Sequence, residues 1–231
     1  MLIGSVLSLI AVKLWCRLMP PRSMADVREL AEKAPIVFRG RVAQVRVAEH
    51  FRHALDSRLA TIDVDRLYRG SLPENPTIHF EYGGSPSGMM GHDCIDFQPD
   101  TYWLVFAVEK GGQLELFDDC EGALAISPLL GPHLKDFDWR AQMEADFLAG
   151  LNDVAAANRI VSIQRLGGLK LPSSLNALHR VIARGDKNEA NWAVCSSLRI
   201  GDLSVLPRVK QILPGGDMSS PERQIAGQLE M

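Results

Sequence analysis

Apolar and polar residues follow two different periods along this chain. From about residue 36 to residue 117 they alternate, as in strands that bury one face, and residues 60–65 (ATIDVD) show this most clearly. A short helical pattern precedes the alternation, and clusters of Gly, Pro, Asn and Asp interrupt it. The pattern predicts a helix at Ala25–Glu32 and strands at Ile36–Val47, Leu59–Leu67, Thr77–Tyr82, Tyr102–Val108 and Leu114–Phe117.

The first predicted strand is long and contains Gly40. A glycine inside a strand favours a bulge or a sharp bend, because it has no side chain to pack on the sheet. Lys110–Gly112 suits a hairpin turn between the last two strands. Five strands, of which the first is long and bent, predict a small β-barrel.

Beyond His133 the period becomes helical, and one helical hairpin is repeated. Residues 158–167 match residues 192–201 at an offset of about 34, and each match is followed by a second amphipathic stretch. These stretches are Leu175–Ile182 and Leu206–Leu213, and Pro221–Leu229 is predicted to begin an incomplete third unit. Two hairpins bury little surface alone, so we expect them to pack on the barrel, on Trp139–Leu151 or on another chain.

The predicted fold class is therefore α+β, with a five-stranded barrel followed by an α-helical hairpin-repeat module. We expect an apolar N-terminal segment at residues 1–23, the barrel at residues 24–130 and the helical module at residues 134–231. A length of 231 residues suits two small domains.

Composition argues against two classes of protein. Hydrophobic residues make up 46% of the chain, charged residues 23%, and the net charge is -3. A disordered chain has fewer apolar residues and a higher net charge, and a chain that binds nucleic acid throughout is usually basic. We therefore expect a folded protein with no nucleic-acid partner.

The first twelve residues form an apolar run that ends at Lys13. Its length suits a signal segment and falls short of the roughly 20 residues that span a bilayer. Arg17 and Arg22 follow the run and no basic residue precedes it, which opposes easy translocation. The prediction is an exported protein, periplasmic or extracellular, or a membrane-tethered one whose N-terminal segment contacts the membrane. The alternative is a cytoplasmic protein with a buried N-terminal segment or a different start.

The four cysteines, Cys16, Cys94, Cys120 and Cys195, contain no CxxC pair and no zinc-finger spacing. In an exported chain Cys94 and Cys120 bracket a pair of strands, where a disulfide would contribute about 3 kcal/mol. Cys195 lies in a helical pattern and is expected to be a small buried apolar residue.

Five segments between residues 34 and 122 carry a resemblance to a known family. They are APIVFRGRV at 34–42, VDRLYRG at 64–70, CIDFQPDTYWLVFA at 94–107, GQL at 112–114 and CEG at 120–122. Together they resemble the bacterial relatives of the netrin-like domain of tissue inhibitors of metalloproteinases, over residues 24–130. The helical region is similar to HEAT-type repeats at mostly generic apolar positions.

The resemblance implies an OB-type barrel. In that family the cysteines in the positions of Cys94 and Cys120 are usually tied to an N-terminal Cys-x-Cys pair. Here Cys16 is one possible counterpart, and Leu18 stands where the other cysteine would be. The pairing is therefore Cys16 with either partner, or Cys94 with Cys120. Inhibition of a metalloproteinase through the zinc would require Cys16 to become the mature N-terminus.

Two histidine patterns are candidates for chemistry. His50 and His53 have an H-x-x-H spacing, but they fall between strands without a carboxylate in ligand spacing, so loop histidines are expected. His92, Asp93 and Cys94 offer a thiol beside an imidazole, but a nucleophile also needs an oriented base and an oxyanion site. A disulfide beside a polar loop is the preferred interpretation.

Two further groups are weak candidates. Asp118, Asp119 and Glu121 cluster near a cysteine, although turns favour Asp and few oxygen ligands bind a cation weakly. The glycine-rich loop Gly83–Gly91 has Pro86 where a nucleophile elbow needs its serine, and no phosphate-loop sequence occurs. The sequence therefore predicts no catalytic residue, no cofactor and no metal.

An OB-type barrel often binds single-stranded nucleic acid, and this one has basic and aromatic residues on its strands. However, Asp63 and Asp65 share one predicted face, and the chain is acidic. The basic and aromatic residues are Phe38, Arg39, Arg41, Arg46, Arg66, Tyr68 and Arg69. His92, Asp93, Arg39 and Arg41 are named as a candidate surface site.

The sequence thus predicts a non-enzymatic, exported or envelope-associated protein that binds another protein. The alternatives are a metalloproteinase-type protease inhibitor, a hydrolytic enzyme with its site in the Gly83–Cys94 loop, and single-stranded nucleic-acid binding through the barrel.

Overall fold

A computed structural model describes residues 26–50, 56–82, 95–118, 121–135, 138–184 and 186–212. The chain divides into two compact units, residues 27–146 and residues 1–26 with 147–231. Its fold is α+β, with a closed five-stranded β-barrel followed by helices, so the predicted fold class is confirmed.

The barrel unit contains one helix before the strands and one short strand outside the closed barrel. Its elements are α1 (Val27–Lys33), β1 (Ile36–His50), β2 (Asp56–Arg69), β3 (Thr77–Tyr82), β4 (Tyr102–Lys110), β5 (Gln113–Leu116) and β6 (Ala123–Ala125). Each predicted strand is present, and β1 and β2 extend further than predicted towards the segment that joins them.

The barrel closes because β1 pairs with two strands. It pairs antiparallel with β2 along its whole length and antiparallel with β4 from Ile36 to Arg41. β2 pairs antiparallel with β3, β3 pairs parallel with β5, and β5 pairs antiparallel with β4. The pairing order β1-β2-β3-β5-β4-β1 leaves β6 to extend the sheet beside β4.

Alternate residues of the strands fill the barrel interior. Phe97, which precedes β4, is buried in the same core, with its ring edge-on to Phe80 at 4.9 Å and to Trp103 at 5.0 Å between centroids. Such aromatic pairs add about 0.5–1.5 kcal/mol beyond the area they bury. The other buried core residues include Ile36, Phe38, Val42, Ala60, Ile62, Ile78, Val105, Ala107, Leu114 and Leu116.

Gly40 is the point where β1 bends, as the sequence predicts. The pairing register between β1 and β2 shifts between Arg39 and Gly40, and the strands approach closely there. A Cβ atom on Gly40 would lie 2.3 Å from the carbonyl oxygen of Asp63 and 2.7 Å from a side-chain carbon of Ile62. Only glycine fits at this position without moving the backbone of β2.

The described residues after the barrel contain five helices, and the last four form two hairpins of the same design. The helices are α2 (Trp139–Gly150), α3 (Ala156–Leu169), α4 (Leu175–Ala183), α5 (Lys187–Ile200) and α6 (Leu206–Ile212). Each of α3 and α5 ends in a left-handed residue, is followed by a short 3-10 turn, and leads into a second helix. The two hairpins are therefore α3–α4 and α5–α6.

The hairpins repeat at an offset of 31 residues, which corrects the predicted offset of about 34 for the first helices. α3 begins at Ala156 and α5 at Lys187, and α4 begins at Leu175 and α6 at Leu206. Residues three apart lie on the same helix face, so a slip of three positions still matches apolar residues with apolar residues. The predicted third unit at Pro221–Leu229 lies outside the described residues.

α3 and α5 pack closely at a glycine. A Cβ atom on Gly167 would lie 2.8 Å from the Cα of Ser196, whose hydroxyl donates to the carbonyl oxygen of Ile163 at 2.8 Å. Arg159 also joins the two helices, with its Nε 2.8 Å and its second guanidinium nitrogen 2.6 Å from Glu189 Oε1. The two hairpins therefore share one interior.

Candidate functional site

Most of the predicted cysteine and histidine chemistry lies outside the described residues. That part of the chain includes Cys16, Cys120, His53 and the whole segment from Gly83 to Cys94, with His92 and Asp93. The predicted disulfides therefore stay predictions. Cys195 is fully buried in α5, as predicted.

Arg39, which the sequence predicts to belong to a surface site, is buried with only 1% of its surface exposed. Its guanidinium donates to the carbonyl oxygens of Ser127 at 3.0 Å, Leu129 at 3.1 Å and Pro128 at 3.3 Å. Its Nε lies 3.7 Å from a carboxylate oxygen of Asp65. Arg39 therefore holds the segment after β6 against the outside of the barrel instead of meeting a ligand.

Arg41, the other arginine of the predicted surface site, is partly buried and lies between two carboxylates. It donates to Asp63 at 2.7 Å and to Asp100 at 3.0 Å. The hydrogen bond to Asp63 and the charges of both carboxylates raise the pKa of Arg41 above its usual value. Exposed pairs of this kind contribute little to stability.

Asp146 is the centre of a buried polar network in the same unit. Its side chain has no exposed surface, and it accepts hydrogen bonds from Tyr68 Oη at 2.6 Å, Arg66 at 2.8 Å and the backbone N–H of Gly131 at 2.8 Å. Burial raises the pKa of Asp146 above its usual value, while these donors act in the opposite direction. The carboxylate accepts three hydrogen bonds and has no contact with solvent, which suits a structural role.

Tyr68 completes the network as a donor. Burial and the neighbouring charge of Asp146 raise the pKa of its phenol well above the usual value. It therefore keeps its proton at every physiological pH and cannot serve as a base. With Arg39 and Arg66 on the same face of β1 and β2, it fixes residues 127–131 on the barrel.

A serine–histidine pair lies on the outer face of the barrel, and sequence reasoning missed it. Ser57 Oγ on β2 lies 2.5 Å from His79 Nε2 on β3, with the serine buried and the histidine half-buried. Glu115 on β5 stands in register with His79, and Lys110 holds its carboxylate at 2.8 Å. Ser57 precedes the start predicted for β2, so alternation alone could not assign it to a face.

The described residues contain no cluster of three or more His, Cys, Asp or Glu side chains placed to hold a metal ion. Across the same part of the chain, no helix has both the length and the hydropathy needed to cross a bilayer.

The fold defines the class to which the chain belongs, an α+β protein with an OB-like barrel followed by helices. No protein-family model matches the chain, and no curated protein is significantly similar to it.

Proposed function

We propose that this is a non-enzymatic, envelope-associated protein that binds another protein through its helical hairpins, with a netrin-like barrel as the scaffold. The observation that carries the proposal is the tandem repeat of two hairpins at one constant offset of 31 residues. Repeated hairpins stack their turns in a row and so present one extended surface, which is the usual binding surface of such modules.

The barrel supports the scaffold role. Its pairing order is that expected of an OB-type barrel, which is the fold that the netrin-like resemblance implies. The outward-facing Arg39 and Arg66 of the barrel, together with Asp146 of α2, hold the segment after β6. These polar groups contribute to the rigidity of the barrel rather than to a reaction.

The proposed contact is the turn edge, which we define as Pro172, Ser173, Leu203 and Ser204. These residues occupy equivalent positions in the 3-10 turns of the two hairpins, and all four are exposed. Leu203 exposes 66% of its surface. A partner that covered this leucine would remove apolar surface from water, which favours the contact.

Photocrosslinking tests the turn edge. The full chain is produced in its native host with the photoreactive residue p-benzoylphenylalanine in place of Leu203, and a control carries it in place of Val47. Val47 lies on the barrel and is also exposed, at 43%. We expect a discrete crosslinked protein at Leu203, identified by mass spectrometry, and none at Val47. Equal crosslinking at the two positions, or none at Leu203, would contradict the proposal.

A second candidate function is hydrolysis, which the Ser57–His79 hydrogen bond favours. A serine bonded to an imidazole is the core of many acyl-transfer sites, with the imidazole taking the serine proton as Oγ attacks a carbonyl carbon. β3 ends at Tyr82, immediately before the loop that the sequence named as an alternative hydrolytic site.

A fluorophosphonate probe separates the two candidates. In a hydrolase, Ser57 would displace fluoride and keep the phosphonyl group, giving an adduct that Ser57→Ala and His79→Ala both abolish. We expect no adduct at Ser57, because in a non-enzymatic protein the hydrogen bond between Ser57 and His79 has only a structural role. Labelling of Ser57 that depends on His79, with Ser173 unlabelled in the same digest, would establish the second candidate instead.

A further inference from the structure

The two turns of the turn edge are held in place by different devices. In the first hairpin Pro172 opens the 3-10 turn, and Leu171 before it provides no side-chain cap. A proline ring fixes its own φ at every pH. In the second hairpin the position of Pro172 is taken by Leu203, and the residue before it is Asp202. The second turn therefore depends on a side-chain cap instead of a proline.

Asp202 caps the second turn with one of its carboxylate oxygens. Its Oδ1 accepts a hydrogen bond from the backbone N–H of Ser204 at 2.9 Å. Its own backbone N–H donates to the carbonyl oxygen of Ser197 at 3.0 Å, so its main chain is tied to α5. A cap of this kind satisfies a backbone donor that the first turn of a helix leaves without a partner. The cap thus fixes the backbone that carries Leu203.

His179 of α4 contacts the other oxygen of the same carboxylate. Its Nε2 lies 2.5 Å from Asp202 Oδ2. The side chain of His179 is 45% exposed and that of Asp202 is 11% exposed, so the imidazole can exchange its proton with solvent while the carboxylate is shielded. A hydrogen bond between charged groups is roughly twice as strong as a neutral one. Protonated His179 therefore holds the carboxylate of Asp202 more firmly than neutral His179 does.

The contact titrates from the histidine side. Burial would raise the pKa of Asp202, but the hydrogen bonds from Ser204 and His179 outweigh it and lower that pKa. The stability that Asp202 contributes is therefore present above about pH 4, the ordinary value for an aspartate, and is lost only in stronger acid. A histidine side chain ordinarily loses its proton near pH 6.5. The charge on the contact thus changes near neutral pH, where Asp202 stays ionised.

The other charged groups on the packed helices do not titrate in this range. Among the described side chains of α4, α5 and α6 they are Arg180, Lys187, Glu189, Arg199 and Arg208. The arginines and the lysine stay protonated near neutral pH. Lys187 and Glu189 lie at the start of α5, about 20 Å along the helix from the end that Asp202 follows. His179 is therefore the group of these helices that can make the cap depend on pH.

We propose that His179 is a positioning residue for the turn edge and makes the turn edge respond to pH. Protonated His179 holds Asp202, Asp202 holds the N–H of Ser204, and Leu203 lies between these two residues in the chain. As the pH rises through the titration of His179, this hold weakens in the second turn, while the first turn, fixed by Pro172, does not change. The inference rests on the proposed function, because the turn edge is the proposed contact with the partner.

Nuclear magnetic resonance of the full chain tests the positioning without a partner. Histidine labelled at Cε1 and serine labelled at the amide nitrogen are followed from about pH 5.5 to about pH 8.5, on either side of the ordinary histidine value. We expect the amide signal of Ser204 to shift with the same midpoint as the imidazole of His179, and the amide signal of Ser173 to stay constant.

His179→Gln is the matched variant, because glutamine keeps a hydrogen-bond donor and does not titrate. In this variant the pH dependence of the Ser204 signal is expected to disappear. A Ser204 signal that does not change with pH in the wild type, or that still titrates in the variant, would overturn the proposal.

Photocrosslinking in native envelope extract tests the consequence for binding. p-Benzoylphenylalanine replaces Leu203 in one chain and Ser173 in a second, each with and without His179→Gln. We expect the yield at Leu203, divided by the yield at Ser173, to fall about two- to fivefold between about pH 6 and about pH 8, the range of effects of partly exposed ion pairs. In His179→Gln this ratio is expected to be the same at both pH values.

The inference and the proposed function fail in different ways. If Leu203 and Ser173 both capture the partner and their ratio ignores pH in the wild type, the turn edge is the contact and the regulation by His179 is wrong. If neither position captures a partner, the proposed function is wrong, and the resonance titration still decides whether His179 positions the turn.

Discussion

Replacing Asp146 with alanine is expected to lower the free energy of unfolding of the barrel unit by about 3–5 kcal/mol. The carboxylate has no exposed surface, and its removal leaves the guanidinium of Arg66 and the hydroxyl of Tyr68 without their shared acceptor. The backbone N–H of Gly131 loses its acceptor as well. Chemical denaturation of the full chain, followed by near-ultraviolet absorption of its aromatic residues, measures the change.

Asp63→Ala is the matched control, because Asp63 pairs with an arginine at an exposed position. Exposed ion pairs are worth about 0–1 kcal/mol, so the control is expected to stay within that range. Asp146→Asn keeps an acceptor but removes the charge, so its loss in the free energy of unfolding should lie between those of the other two variants. If Asp146→Ala destabilises no more than Asp63→Ala, the network around Asp146 does not hold the segment after β6.

Gly40→Ala is expected to cost about 3 kcal/mol, the upper range for forcing extra volume into a packed site. The new methyl group would meet the carbonyl oxygen of Asp63, which is backbone and cannot turn aside as a side chain can. β2 would have to move away from β1 at the bulge. The same denaturation experiment, with the unfolding slope compared between variants, measures the loss.

Gly111→Ala provides the comparison for Gly40. Gly111 has a φ of 60° in the β4–β5 turn, and a Cβ there meets nothing within 4 Å. Its replacement therefore costs only the backbone preference, about 1 kcal/mol. Equal losses at the two positions would show that the close approach of β1 and β2 at Gly40 carries no stability.

The barrel and the helical hairpins could be predicted from the sequence because both depend on local periods. Alternation placed each strand of the closed barrel, and Gly40 marked the bulge in β1. The offset of the hairpins could not be fixed, because sliding one helix by three residues against the other keeps the apolar faces aligned. The left-handed residues Lys170 and Gly201, which end the first helices, give the true alignment.

The candidate site was harder to predict, because burial on the outside of a barrel depends on distant segments. Arg39 alternates correctly as an outward-facing residue, yet Ser127–Leu129, almost ninety residues later, cover it and accept its hydrogen bonds. No local pattern carries that information. Ser57 and His79 are 22 residues apart on neighbouring strands, and only the strand register brings them together.

The closure of the barrel by β1 and β4 also sets the order of events during synthesis. Ile36 pairs with Ala107 in the sheet, so more than sixty further residues must be synthesised before β1 has both of its neighbouring strands. At typical rates of translation this takes roughly several seconds. From the completion of β2 at Arg69 until β4 is made, the apolar face that β1 and β2 share has no cover from β4, which leaves time for a chaperone or the membrane to bind it.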